Sequence, residues 1–167
     1  MEQYSQFHTV RGYQQLERQD KSLTPAMEDY LEMIYRRSLT GGFLRVNTLS
    51  ELLNVTAPSA TKMVQNLSKL GLVDYRRYDL ISLTEQGREM GAYLLARHNM
   101  IEDFLKNLGV SEEVLSDTEL IEHDISAVTL QKFALLNRFL EVHPDILEQY
   151  HAFAAEPDNA SRPCSSP

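Results

Sequence analysis

Asp29 and Glu32 lie three residues apart, and in a helix that spacing puts both carboxylates on one face. Glu119, Glu122 and His123 repeat the pattern at i, i+3 and i+4, and His98 falls between the two sets in the chain. Four carboxylates and two imidazoles are hard oxygen and nitrogen donors, suited to one divalent cation or to two. Each member also has a plainer reading. Acids near a helix start favour the helix dipole, acids in an acidic stretch are solvated, and a lone histidine is more often core or surface than ligand. Spacing along the chain does not show that the three segments converge.

A second set suits nucleic acid. Ser59, Thr61, Lys62, Gln65, Asn66 and Lys69 form the outer face of an expected helix. Lys62 and Lys69 match phosphates, while Gln65 and Asn66 carry the donor–acceptor pair that reads an adenine edge. Arg76 and Arg77 follow on an expected hairpin, where a wing meets the DNA backbone. Alone, this polar face is what any solvated helix shows. Its place in the order of elements gives it meaning.

That order is legible. Thr24-Pro25 is a helix start, followed by Met27, Tyr30, Leu31, Ile34 and Tyr35 on one stripe and stopped by Gly41-Gly42. Residues 43–46 read as extended, and Leu49, Leu52 and Leu53 mark a short second helix. Ala60, Met63, Val64, Leu67 and Leu70 give the third helix its inner face, with Gly71 as stop. Residues 72–83 read as a two-stranded hairpin turning near Tyr78-Asp79. Three helices and a hairpin in this order make a winged helix-turn-helix. Thr84 then caps a long helix running to about Asn107, and further helices are expected over 111–125, 127–142 and after Pro144. Their apolar residues exceed what a few helices bury alone, which points to dimerisation.

The fold class is therefore mainly α. An N-terminal winged helix-turn-helix (23–83) is joined by a long helix to an all-helical metal-binding and dimerisation domain (84–154). Residues 1–22 read as a flexible arm and 155–167 as a disordered tail. The 167 residues carry a net charge of −8, unevenly spread: residues 56–97 hold +2 and residues 98–167 hold −9. The net-basic segment is the one with the candidate reading helix, so two units with different partners are expected. One cysteine, Cys164, excludes an internal disulfide and a thiolate zinc site. With no membrane-length apolar run and no secretory h-region in the first residues, a cytoplasmic protein is expected.

The chain resembles the diphtheria toxin repressor family of metal-dependent transcriptional regulators, in its manganese-transport-regulator branch. The likeness covers about residues 24–153. It rests on residues 27–35 (MEDYLEMIY), 61–65 (TKMVQ), Arg97-His98 with Phe104-Leu105, and 119–123 (ELIEH). It implies a homodimeric repressor on palindromic operator DNA, with Asp29, Glu32, His98, Glu119, Glu122 and His123 as ligands. In the iron-sensing branch the positions of Asp29 and Glu119 carry Met and Cys. Carboxylates at both favour Mn²⁺, with Fe²⁺ as the alternative effector. Mn²⁺ is the weakest binder of the usual divalent series, so selection must come from geometry and ligand number. On this reading metal binds the reading unit to the dimer unit, and low pH opposes it by protonating imidazole. Two other classes are weaker: a two-metal hydrolase wants open coordination positions and a cleft, and a winged-helix regulator of an organic ligand would bind DNA regardless of chelator.

Overall fold

A computed structural model describes residues 23–41, 44–76 and 80–156. The N-terminal arm, Gly42 and Phe43, Arg77, the hairpin turn at Tyr78-Asp79 and the tail from residue 157 lie outside the described residues, and the side chain of Arg76 is not described. The chain divides into two compact units that meet in sequence at Arg97 and His98.

In the first unit, helix α1 (Pro25–Leu39) is capped by Thr24, whose Oγ1 accepts from the Met27 amide, with Pro25 opening the helix. Strand β1 (Leu44–Arg45) leads straight into α2 (Val46–Leu52). A turn with Asn54 at φ 51° links it to α3 (Ala57–Lys69), and asparagine tolerates that left-handed backbone better than most side chains do. Gly71, at φ 74°, ends α3: its amide bonds Ser68 O at 3.0 Å and the Leu72 amide bonds Leu67 O at 3.0 Å. Strands β2 (Val73–Arg76) and β3 (Leu80–Leu83) form the antiparallel hairpin. β1 adds to the far edge of β3, with Leu44 opposite Ile81, giving the order β1-β3-β2.

The core of this unit is Leu31, Ile34, Leu49, Ala60, Val64, Leu67, Val73, Ile81, Met90 and Leu94. The α1 stripe lies inward as its periodicity predicts, Tyr30, Leu31 and Ile34 fully and Met27 and Tyr35 partly. Leu70 departs from expectation. It follows the last residue of α3 as the chain swings toward Gly71, and it is 40% exposed.

Helix α4 (Glu85–Asn107) begins at Thr84, whose Oγ1 accepts from the Gly87 amide at 3.0 Å. Gly87 and Gly91 are packing necessities: a Cβ on the first would fall 1.7 Å from Leu72 O, and on the second 2.6 Å from the Tyr35 Cβ. The second unit adds α5 (Val114–Glu122), α6 (Ala127–Val142) and α7 (Pro144–Ala154). Met100, Ile101, Leu105 and Leu130 are its buried core, with Phe104 stacked on Phe133 at 3.8 Å. α5 is shorter than the expected 111–125. Ser126 adopts extended backbone to cap α6 through the Thr129 amide, so the chain leaves the helix before reaching it. No helix among the described residues is long and apolar enough to cross a membrane.

Candidate metal centre and nucleic-acid face

α1 presents Asp29 to solvent and buries Glu32. Glu32 Oε1 accepts from Arg36 twice, from Nη2 at 2.6 Å and from Nε at 2.9 Å. One turn earlier, Glu28 is buried and accepts from Arg97 Nη2 at 2.5 Å. Arg97 also lies 5.8 Å from the Tyr93 ring centroid. Sequence reasoning did not single out this pair, although a signal existed. Glu28 falls at i, i+3 and i+7 with Leu31 and Tyr35, and an acid on a buried stripe needs a cation. The Tyr30 phenol is pushed above its ordinary value by burial and secondarily by the Asp29 charge. Because that value is raised, the folded state holds the proton more tightly than the unfolded chain. Its stabilising contribution is present at neutral pH and is lost only as pH rises above the ordinary tyrosine range.

In the second unit, α4 supplies His98, α5 ends at Glu122, and His123 is the residue after the helix. Burial of Thr118, whose hydroxyl bonds back to Val114 O at 2.7 Å, sets the inward face of α5, and Glu122 lies one turn on along that face. His98 Nδ1 lies 2.9 Å from Glu122 Oε2, and His123 Nε2 lies 4.0 Å from Glu122 Oε1. One carboxylate therefore has an imidazole nitrogen at each oxygen, with His98 and Glu122 both buried. Glu119 sits three residues before Glu122 on the same helix and is exposed. The structure thus brings His98, Glu122 and His123 together. All their donors are oxygen and nitrogen, and that chemistry fits a hard divalent cation such as Mn²⁺.

On α3, Ala60, Val64 and Leu67 are buried while Ser59, Lys62, Gln65 and Lys69 are exposed. Thr61 and Asn66 are half-buried. Two of the expected hydroxyls have local partners: Ser59 Oγ lies 2.9 Å from Thr56 Oγ1, and Thr61 Oγ1 donates to Ala57 O at 2.9 Å. Lys62, Gln65 and Lys69 are left as long side chains on one outward face. Arg76 stands at the end of β2, at the start of the wing.

Residues 22–80 match the N-terminal DNA-binding domain of the iron-dependent repressors, and residues 84–151 match their metal-binding and dimerisation domain. The chain belongs to the iron-dependent repressor family. Among iron-dependent repressor relatives, the HTH-type transcriptional regulator MntR of Lysinibacillus sphaericus (strain C3-41) is 40% identical over 130 residues, covering 77% of this chain and 94% of its own. The regulator of the same name from Listeria welshimeri is 42% identical over 130 residues, covering 77% and 92%. The solved manganese regulator SloR superposes with a TM-score of 0.61 at 30% identity, over 71% of this chain and 55% of its own. A manganese-dependent transcriptional repressor in complex with manganese gives 0.62 at 28%, over 68% and 53%. This chain spans a little over half the length of those two solved chains. The family likeness carried by the residue motifs is borne out. So is the fold class, and the protein is a metal-dependent, DNA-binding transcriptional repressor, not an enzyme.

Proposed function

We propose that the protein is a manganese-responsive repressor, acting in the cytoplasm as a homodimer on palindromic operator DNA and controlling manganese uptake genes. The observation that carries this reading is the buried Glu122 carboxylate with His98 and His123 at its two oxygens. A buried carboxylate between two imidazoles is costly to keep for packing alone and well made for a cation. Manganese in the descriptions of two structural neighbours supports the choice of metal. Donors without sulfur support it independently.

Asp29, Glu32, His98, Glu119, Glu122 and His123 make up the proposed ligand set, with one or two Mn²⁺ per subunit. Bound Mn²⁺ supplies positive charge against four carboxylates that otherwise repel one another. Asp29 and Glu32 belong to the domain we assign to 23–83, and the other four belong to 84–154, so ligation couples the two. On DNA, Lys62 and Lys69 bind phosphates, and Gln65 with Asn66 reads base edges. Ser59 and Thr61 border that face, while Arg76 and Arg77 hold the backbone from the wing.

The test is fluorescence anisotropy of a labelled palindromic operator, selected from random DNA with Mn²⁺-loaded protein and titrated at one fixed salt concentration. Tight binding with Mn²⁺, collapse in EDTA and a weaker maximum with Zn²⁺ are the expected results, with anaerobic Fe²⁺ as the competing arm. Equal binding in EDTA refutes metal control. Full activation by Zn²⁺ alone refutes selection by geometry.

A further inference from the structure

Arg36 touches a proposed ligand directly. It lies one helical turn beyond Glu32 on α1, and both its Nε and its Nη2 point at the same oxygen, Glu32 Oε1, at 2.9 and 2.6 Å. The carboxylate is nearly buried and the guanidinium is 39% exposed. A guanidinium keeps its charge at every physiological pH, so this cation is permanent. As a stabiliser of the helix such a pair is worth little, because ion pairs at i, i+4 with one partner in solvent are weak. Its weight falls on what else Glu32 binds.

We propose that Arg36 sets the metal threshold by competing with the divalent cation for Glu32, an inference that rests on the metal-responsive reading above. Two donors on Oε1 draw electron density from the carboxylate and weaken it as a ligand. The guanidinium charge also repels any cation held by the same group. In water-like surroundings, repulsion between +1 and +2 a few ångströms apart corresponds to about a tenfold loss of affinity. The chain therefore carries its own counter-ion for one ligand, and metal displaces that counter-ion's influence only above a set concentration.

The experiment measures Mn²⁺ affinity of the full chain by the electron paramagnetic resonance signal of free Mn²⁺, for the unaltered protein and for Arg36→Met and Arg36→Lys. Methionine is a good helix former on this half-exposed position, so the fold is retained. Arg36→Met is expected to bind Mn²⁺ about tenfold more tightly, with the gain shrinking as salt screens the charge it removes. Arg36→Lys keeps the charge but loses the two fixed donors, and should fall between the unaltered protein and Arg36→Met. The Mn²⁺ concentration for half-maximal operator binding should fall in step with the affinity, and a cooperative urea transition in chelator shows that the variant is folded. A purely structural arginine predicts unchanged or weaker binding in Arg36→Met, and either result overturns the proposal. If the unaltered protein itself binds no Mn²⁺, the metal-responsive reading fails and this inference falls with it. That failure is visible before any variant is made.

Discussion

Glu122 is the residue on which most of the candidate site depends. Its Oε2 lies at hydrogen-bond distance from His98 and its Oε1 4.0 Å from His123, so replacing it removes a charge between two imidazoles and one orienting hydrogen bond. Glu122→Gln keeps the shape and should lower Mn²⁺ affinity by about 10–100-fold, the usual effect of losing a group that ligates or orients ligands. Titration of free Mn²⁺ checks it, and an affinity within twofold of the unaltered protein would remove Glu122 from the site. At this scale the sequence was informative about residue types and silent about partners. Glu122 and His123 are visible because they repeat at helical spacing with Glu119, and His98 because it falls between the two acidic sets in the chain. Arg36 was not, because one more arginine on a helix carries no mark until its hydrogen bonds are seen. The Glu28–Arg97 pair spans 69 residues, and no local pattern predicts which cation meets a buried acid.

That pair matters most as a join between elements. It fastens α1 to α4 inside the first unit, with both side chains buried. Arg97→Met leaves the Glu28 carboxylate buried without its guanidinium and should cost about 3–5 kcal/mol. The double variant Glu28→Leu/Arg97→Met should recover much of that loss, because an apolar pair avoids the desolvation of two charges. Urea unfolding in the presence of chelator measures both, and a single variant as stable as the unaltered protein would show the pair to be incidental. Helices with strong stop and start residues are read closely from sequence: Thr24-Pro25, Gly71 and Thr84 all mark real ends. Where those signals were absent the reading drifted. α5 was expected to run longer at both ends than it does, and the start of α2 was placed too late because Val46 looked extended beside β1. The third strand was missed as a partner of β3, since two residues are too short to show alternation.

For the molecule as a whole, charge and apolar surface divide the labour. Residues 98–167 carry −9, a charge that DNA phosphate repels, in keeping with the proposed operator contact through α3 and the wing. The same acidic half exposes an apolar stripe on α6, where Val128, Leu135, Phe139 and Val142 recur at helical spacing. This is the domain that the family uses for dimerisation. Leu135→Glu places a charge in the middle of the stripe and should shift the protein toward monomer in sedimentation analysis, with weaker operator binding. A dimer of unchanged stability would put the interface elsewhere. The pairing of Leu44 with Ile81 has one more effect. It closes the chain into a loop that holds α2 and α3, while the inward residues Ala60, Val64 and Leu67 fix α3 from within. The residues that fold this unit are thus separate from those proposed to contact DNA. If Gln65 reads bases as proposed, its exposed position lets it be exchanged without disturbing that core, so a lineage can acquire a new operator without first crossing a valley of misfolded intermediates.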